Sequence, residues 1–388
     1  MADRSRKQVL ALTAVALAVG LAIELISAHF GHMYGDIEAL FGSRGIRPHS
    51  FPYLDRPLEY PVGIGYVMWA TSWVGRNATT FFLANAALAS ALVFATVSLL
   101  QRRNPDRVLR FVVAPTLALY AFHNWDVIPV FCTVAGLIAL ERRRPVASGL
   151  LLAIGAWTKL FPALYIPVLA LLMWRDDRRD AMRLVASAAV VSVVVNVPVM
   201  LASWTGWMHP VTFQSARRAT WGSVWYHVLR LPGMDRLLAD THSVANGLAT
   251  VTLAVGFVLV ARRSLLLRLD PMQVAAALTS LFLLTNKVYS PQYSLWMLPF
   301  FVLLPLPRRL WLAFISADLA MYVLIFSHVL RHGSARHALI ALIGVTVAIR
   351  AAILVAVMIR SLRPPAVSGS VSPPVEPLLG EPVGPALR

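Results

Sequence analysis

The chain has 388 residues, of which 58% are hydrophobic and only 14% charged, and its mean hydropathy is +0.67. A soluble chain carries about 25% charged residues, so this one cannot cover a water-facing surface and reads as a polytopic membrane protein. Its single cysteine, Cys132, lies in an apolar run, which excludes an intrachain disulfide framework.

A helix needs about 20 apolar residues to cross a bilayer. Runs of that kind predict an all-α bundle of about twelve transmembrane helices, near 8–28, 79–100, 109–122, 127–140, 146–157, 161–174, 184–203, 242–261, 272–284, 292–306, 310–326 and 338–359. The runs between 109 and 174 are short and separated by brief polar breaks, which suits merged, tilted or re-entrant segments. The first run is longer than the apolar core of about 7–15 residues in a signal peptide, and it reads as an uncleaved anchor.

The charges orient the bundle. The formal net charge is +17, from 35 basic and 18 acidic residues. With the N-terminus inside, 22 basic residues fall on inner segments and 12 on outer ones, with Arg350 inside a span. That is the positive-inside pattern, so the basic excess encodes orientation and not a nucleic-acid partner; both termini are expected on the cytoplasmic face. Only Lys7, Lys159 and Lys287 are lysines. The preference for arginine, with abundant Ala, Val and Leu, resembles GC-rich bacterial coding bias and implies a bacterial plasma membrane. Residues 1–363 form one expected transmembrane domain. Residues 364–388 hold seven prolines and no helical period, the composition of a disordered tail.

Two outer segments are long, 29–78 and 204–241, and chemistry is expected on that face. The first contains HFGHMYGDIEALFGSRGIRPHSFPYLDRPLEYPVG. Asp36 and Glu38 form an acid-x-acid pair after a membrane helix. Such a pair can supply a general base toward a hydroxyl, ligate a divalent cation with water, or sit as solvated acids at a helix start. His29 and His32 precede it, as metal ligands or as interfacial histidines. Glu59 opens the next helical stretch with Tyr60 and Pro61 and is a further candidate acid.

Asp126 follows His123, Asn124 and Trp125 at an outer turn, either as a helix cap or lining the same cavity. Lys159 in WTKLFP and Lys287 in TNKVYSPQY stand at outer ends of spans. An ammonium there neutralises a phosphate or snorkels to the interface. Arg217 and Arg218 sit among Trp204, Trp207, Trp221 and Trp225, a mixture that suits a lipid phosphate and its sugar, or a plain aromatic belt. Deeper in the membrane, Asp318 and Arg350 fall at nearly equal depth in the last two spans, and a buried ion pair is expected between them.

These segments resemble the GT-C superfamily of membrane glycosyltransferases, and most of all glycosyltransferase family 87, the bacterial alpha-mannosyltransferase-like group. GDIEALF with PYLDRPLEYPV is similar to the family's first-loop signature. ASGLLLAIGAWTKLFPALYIPVL is similar to its Gly-rich helix ending in Lys-x-x-Pro, here Lys159 and Pro162. NKVYSPQYSLWMLP also resembles a segment of the catalytic subunit of GPI mannosyltransferase I. Gln292 and Tyr293 stand where such enzymes often carry histidines, and Gln214 and Gly222 also depart from their pattern. The resemblance implies a GT-C-like bundle with a large first extracytoplasmic loop. It implies an inverting transfer of a sugar, mannose in the family, from a polyprenyl-phosphate donor to a lipid or glycan acceptor. Asp36 would then be the base, with Lys159, Lys287, Arg217 and Arg218 on the donor phosphate and Asp126, Tyr289 and Gln292 in the cavity. A transporter or lipid flippase is the rival class, since charged residues within membrane helices suit it too; no internal repeat favours it.

Overall fold

A computed structural model describes residues 2–29, 35–231, 241–330 and 334–364. His32 and the tail from residue 365 lie outside the described residues. The chain is all-helical, with isolated bridges at Arg47–Ser50 and Pro52–Arg56 and no strands among the described residues. Six helices are long and apolar enough to cross a membrane. They are α1 (Ala2–His29), α4 (Ala78–Arg103), α10 (Arg178–Ala202), α13 (Thr241–Leu267), α17 (Arg308–Leu330) and α18 (Ser334–Ser361), which frame the elements numbered between them. Polar residues fix where these helices start. The Asn77 side chain accepts from the Thr80 N–H while the Thr80 hydroxyl accepts from the Asn77 N–H, a capping box that opens α4. Asp177 accepts from the N–H groups of Arg179 and Asp180 and opens α10.

Shorter apolar helices fill the interior: α7 (Val127–Glu141), α8 (Pro145–Thr158), α9 (Tyr165–Trp174) behind the 3₁₀ turn Phe161–Leu164, and α14 (Pro271–Thr285). A helix of 15 residues reaches roughly 22 Å, less than the ~30 Å of a hydrocarbon core. Its ends are therefore best covered by protein, and α7 and α14 are buried on nearly all sides. Two predicted spans are broken. The run at 109–122 divides into α5 (Leu109–Val112) and α6 (Pro115–Tyr120), interrupted ahead of Pro115. The run at 292–306 becomes the 3₁₀ turn Pro291–Tyr293, α15 (Ser294–Met297) and α16 (Phe300–Leu303), and residues 294–304 are all buried. Irregular backbone at membrane depth is tolerated where protein encloses it.

The first long loop folds into α2 (Asp36–Ser43) and α3 (Val62–Ser72), and the second into α11 (Trp204–Ala216) and α12 (Val224–Val228). Glycine lets α3 reach the bundle. A Cβ at Gly63 would lie 2.6 Å from the Trp157 carbonyl oxygen, so α3 approaches the end of α8 backbone to backbone. Gly149 does the same lower on α8, where a Cβ would collide with the Leu184 carbonyl and the Ser187 hydroxyl of α10.

The expected ion pair between Asp318 and Arg350 does not form as a contact. Both side chains are buried in α17 and α18, near enough for their charges to interact. The Asp318 carboxylate accepts instead from the Thr116 hydroxyl at 2.7 Å, and the Arg350 guanidinium lies over the Tyr289 ring at 3.7 Å from its centroid. Depth along the helix was read correctly, but an aromatic face took the cation.

Gly149→Val is expected to lower stability by about 1–3 kcal/mol, the usual cost of overpacking, seen as a lower melting temperature in detergent. Gly247→Ala on α13, where a Cβ would meet nothing within 4 Å, should hold or slightly raise it.

Candidate active site

A cavity of about 710 Å³ opens at the end of the bundle that carries the two long loops. Asp36, Tyr60, His123, Lys159, Arg217, Lys287 and Gln292 line its polar part, and Trp207, Val211, Phe213, Leu253 and Phe282 an apolar flank. The site is built around the turn between α6 and α7. The Asp36 N–H, first in α2, donates to the His123 carbonyl at 2.9 Å. Its carboxylate Oδ2 accepts from the Tyr60 hydroxyl at 3.0 Å and from Asn124 Nδ2 at 2.5 Å. Asn124 Nδ2 also reaches the Tyr60 hydroxyl, at 2.8 Å. Burial and then the Asp36 charge push the Tyr60 phenol well above its ordinary range, so it stays a donor. With both donors on Oδ2, no described residue donates to Oδ1, which remains available to take a proton.

The second feature is a buried ion pair. Asp126 is wholly buried, and its Oδ1 lies 3.6 Å from Lys159 Nζ and accepts from Trp296 Nε1 at 2.8 Å. Lys159 also lies 4.7 Å from the Tyr60 ring centroid and 5.5 Å from that of Tyr293. Tyr293, Trp296 and Phe161 stack as one wall behind it. Asp126 occupies the cap position of α7 without capping it, so neither expectation for it, a helix cap or a cavity-lining residue, is met. Asp126 is not itself in the lining and stands directly behind Lys159.

Lys287 has a different task. Its ammonium donates to the carbonyls of Ser215 at 3.1 Å and Arg217 at 2.6 Å, the C-terminal end of α11, where a cation complements the helix dipole. Burial, and then the Arg217 charge, hold it below the ordinary lysine range. The Arg217 guanidinium lines the cavity with no hydrogen-bond or ion-pair partner among the described residues. Gln292 lines the cavity too, and its Oε1 is buried without a partner there.

Three further expectations, for Glu38, Tyr289 and Arg218, are corrected. Glu38 lies two residues beyond Asp36 on a helix, where side chains diverge, and it stays out of the lining; burial and the Glu24 charge raise its carboxyl above the usual range. Glu59 reaches the cavity but is held by Arg44 in a bidentate pair at 2.8 and 2.9 Å. Tyr289 faces Arg350 and not the cavity. Arg218 is exposed outside the lining. Among the described residues no three His, Cys, Asp or Glu side chains gather as a metal site would need. Residue patterns missed Asn124, Tyr60 and His123 as partners of Asp36. The signal was the polar run His123–Asp126 between two apolar segments.

Replacing Lys287 with Met removes the donor to two carbonyls of α11. Amide exchange over residues 213–217 should speed up about tenfold, the scale of one charge-assisted hydrogen bond, while α14 keeps its protection.

The family model for glycosyltransferase family 87 matches residues 58–285, a segment that carries Glu59, Tyr60, His123, Asp126, Lys159 and Arg217; Asp36 precedes it and Lys287 follows it. No curated protein matches the chain. The match covers more than half of the sequence and decides for transfer over transport: the chain belongs to glycosyltransferase family 87 and is a membrane glycosyltransferase.

Proposed function

We propose that the protein transfers a sugar, mannose as the family resemblance implies, from a polyprenyl-phosphate donor to a hydroxyl of a lipid or glycan acceptor. The site would face the extracytoplasmic side of a bacterial plasma membrane, in keeping with the basic residues of the opposite loops. The observation that carries this reading is the company Asp36 keeps. One oxygen of a half-buried carboxylate is fixed by two donors, in a cavity that also presents an unpaired guanidinium and an apolar flank.

In this reading Asp36 Oδ1 takes the proton of the acceptor hydroxyl. The hydroxyl oxygen bonds to the anomeric carbon from the face opposite the phosphate. The bond from that carbon to the phosphate oxygen breaks, and its electrons leave with the phosphate. Charge therefore grows on the phosphate as the bond breaks, and fixed cations there stabilise the transition state. Arg217 serves best, because Lys159 is already matched by Asp126 and Lys287 already serves two carbonyls. The aromatic and aliphatic flank from α11, α13 and α14 suits the prenyl chain.

Two measurements test it. Membranes containing the protein are incubated with labelled polyprenyl-phosphate mannose, and the lipid products are analysed. Asp36→Asn should lower the rate at least ~100-fold, the scale of a general base, with insertion unchanged; near-normal turnover removes Asp36 from the role. Arg217→Met should weaken binding of a donor analogue by about 1.5–3 kcal/mol without loss of stability. Lys159→Met should do the reverse. It leaves Asp126 buried without its cation, a loss of about 3–5 kcal/mol in stability.

A further inference from the structure

α1 carries one acid in its apolar stretch, Glu24, a position where a carboxylate is costly and marks a role by default. Its Oε1 lies 3.5 Å from His123 Nδ1, and both side chains are nearly buried, 12% and 5% exposed. His123 stands in the α6–α7 turn and lines the cavity. Its carbonyl accepts the Asp36 N–H, and the next residue, Asn124, donates to the Asp36 carboxylate. A Cβ added at Gly35, the residue before Asp36, would lie 2.8 Å from Glu24 Oε2, so α1 and the start of α2 touch at this point.

We propose that Glu24 and His123 form a carboxylate–imidazolium pair that holds the α6–α7 turn and so positions Asp36, making both positioning residues of the transfer reaction; this rests on the reading of Asp36 as its base. The groups around the imidazole favour its cation. Glu24 faces it from α1, Asp36 from α2, and Asp126 from its own turn. Tyr120 meets its ring edge-on at 6.2 Å between centroids, with Tyr322 of α17 behind Tyr120 at 5.9 Å. Lys159 lies beyond Asp126 and is matched by it. Burial pushes the imidazole down, but Glu24 and Asp36 outweigh it and hold it above its ordinary value. The sign follows. A raised imidazole is charged below its folded value and loses its charge as pH rises through it. The ion pair with Glu24 is then lost, and the turn that takes the Asp36 N–H and carries Asn124 is no longer tied to α1. Transfer should therefore fall on the alkaline side, and losing Glu24 should bring that fall to lower pH.

The test uses the full chain in nanodiscs with labelled histidine, one resonance among ten histidines being assigned to His123 by its loss in His123→Asn. In the parent the imidazole should titrate above the ordinary value of about 6.5, and in Glu24→Gln clearly below the parent. Transfer from polyprenyl-phosphate mannose is followed in parallel. The ratio of parent to Glu24→Gln rate should grow several-fold between about pH 6 and about pH 8, toward the limit of about tenfold that a displacement of one unit sets. Glu24→Asp keeps the charge, so it should restore most of the parent profile, and it serves if the Gln variant does not fold. Equal titration of His123 in parent and variant overturns the pair. So does a rate deficit in Glu24→Gln that is the same at every pH, which would mark a purely structural role. A shifted titration in a protein that transfers no sugar from any polyprenyl-phosphate donor would support the pair and overturn the reaction proposed for Asp36.

Discussion

Everything at the site depends on four consecutive residues, His123 to Asp126. Their turn takes the Asp36 N–H at the His123 carbonyl and returns a hydrogen bond from Asn124 to the Asp36 carboxylate. Trp125 packs edge-on against Tyr60 and donates to Asn85 of α4 at 2.7 Å. Asp126 meets Lys159 at the end of α8 and Trp296 of α15. One turn thus joins the first loop to α4, α8 and the broken segment at 291–303. Both helices that flank it are short, and α6 is the second half of a broken span. Regular helix through this region would have satisfied the backbone with its own carbonyls and left none for Asp36.

Charge in a low-dielectric interior is stable only when matched, and the matches separate the cations by task. Asp126 stands 3.6 Å from the Lys159 ammonium and offsets part of its charge. The helix end of α11 absorbs Lys287. What remains for an incoming anion is Arg217, at the C-terminal border of α11, where the polar part of the cavity meets its apolar flank. A lipid-linked phosphate has the same division into charged head and apolar chain.

The all-helical membrane architecture was legible because apolar run length depends on local composition alone. So were Asp36, Lys159, Arg217, Lys287 and Gln292 as residues of one cavity, through the family resemblance and their place at span ends. The pairings were not legible. Asp126 meets Lys159 from 33 residues away, and Asn124 meets Asp36 from 88, separations that carry no periodic signature. Glu38 looked equivalent to Asp36 because spacing in a string does not show that two positions on a helix face apart. Arg350 looked destined for Asp318 because depth was readable and azimuth was not.

The misplaced pair in the last two helices has a consequence for the cavity. Arg350 packs on Tyr289, and the Tyr289 N–H donates to the Thr220 hydroxyl at 3.0 Å. The Lys287 carbonyl accepts from the Thr220 N–H at the same distance. The segment 286–293 is therefore held on two sides, by α18 through Tyr289 and by the strand of chain after α11 through Thr220. Six of its residues, Asn286, Lys287, Val288, Ser290, Gln292 and Tyr293, line the cavity. An aromatic seat for Arg350 serves this loop better than a direct ion pair would. A contact confined to α17 and α18 would fix only those two helices, whereas the stacked guanidinium also fixes one wall of the cavity.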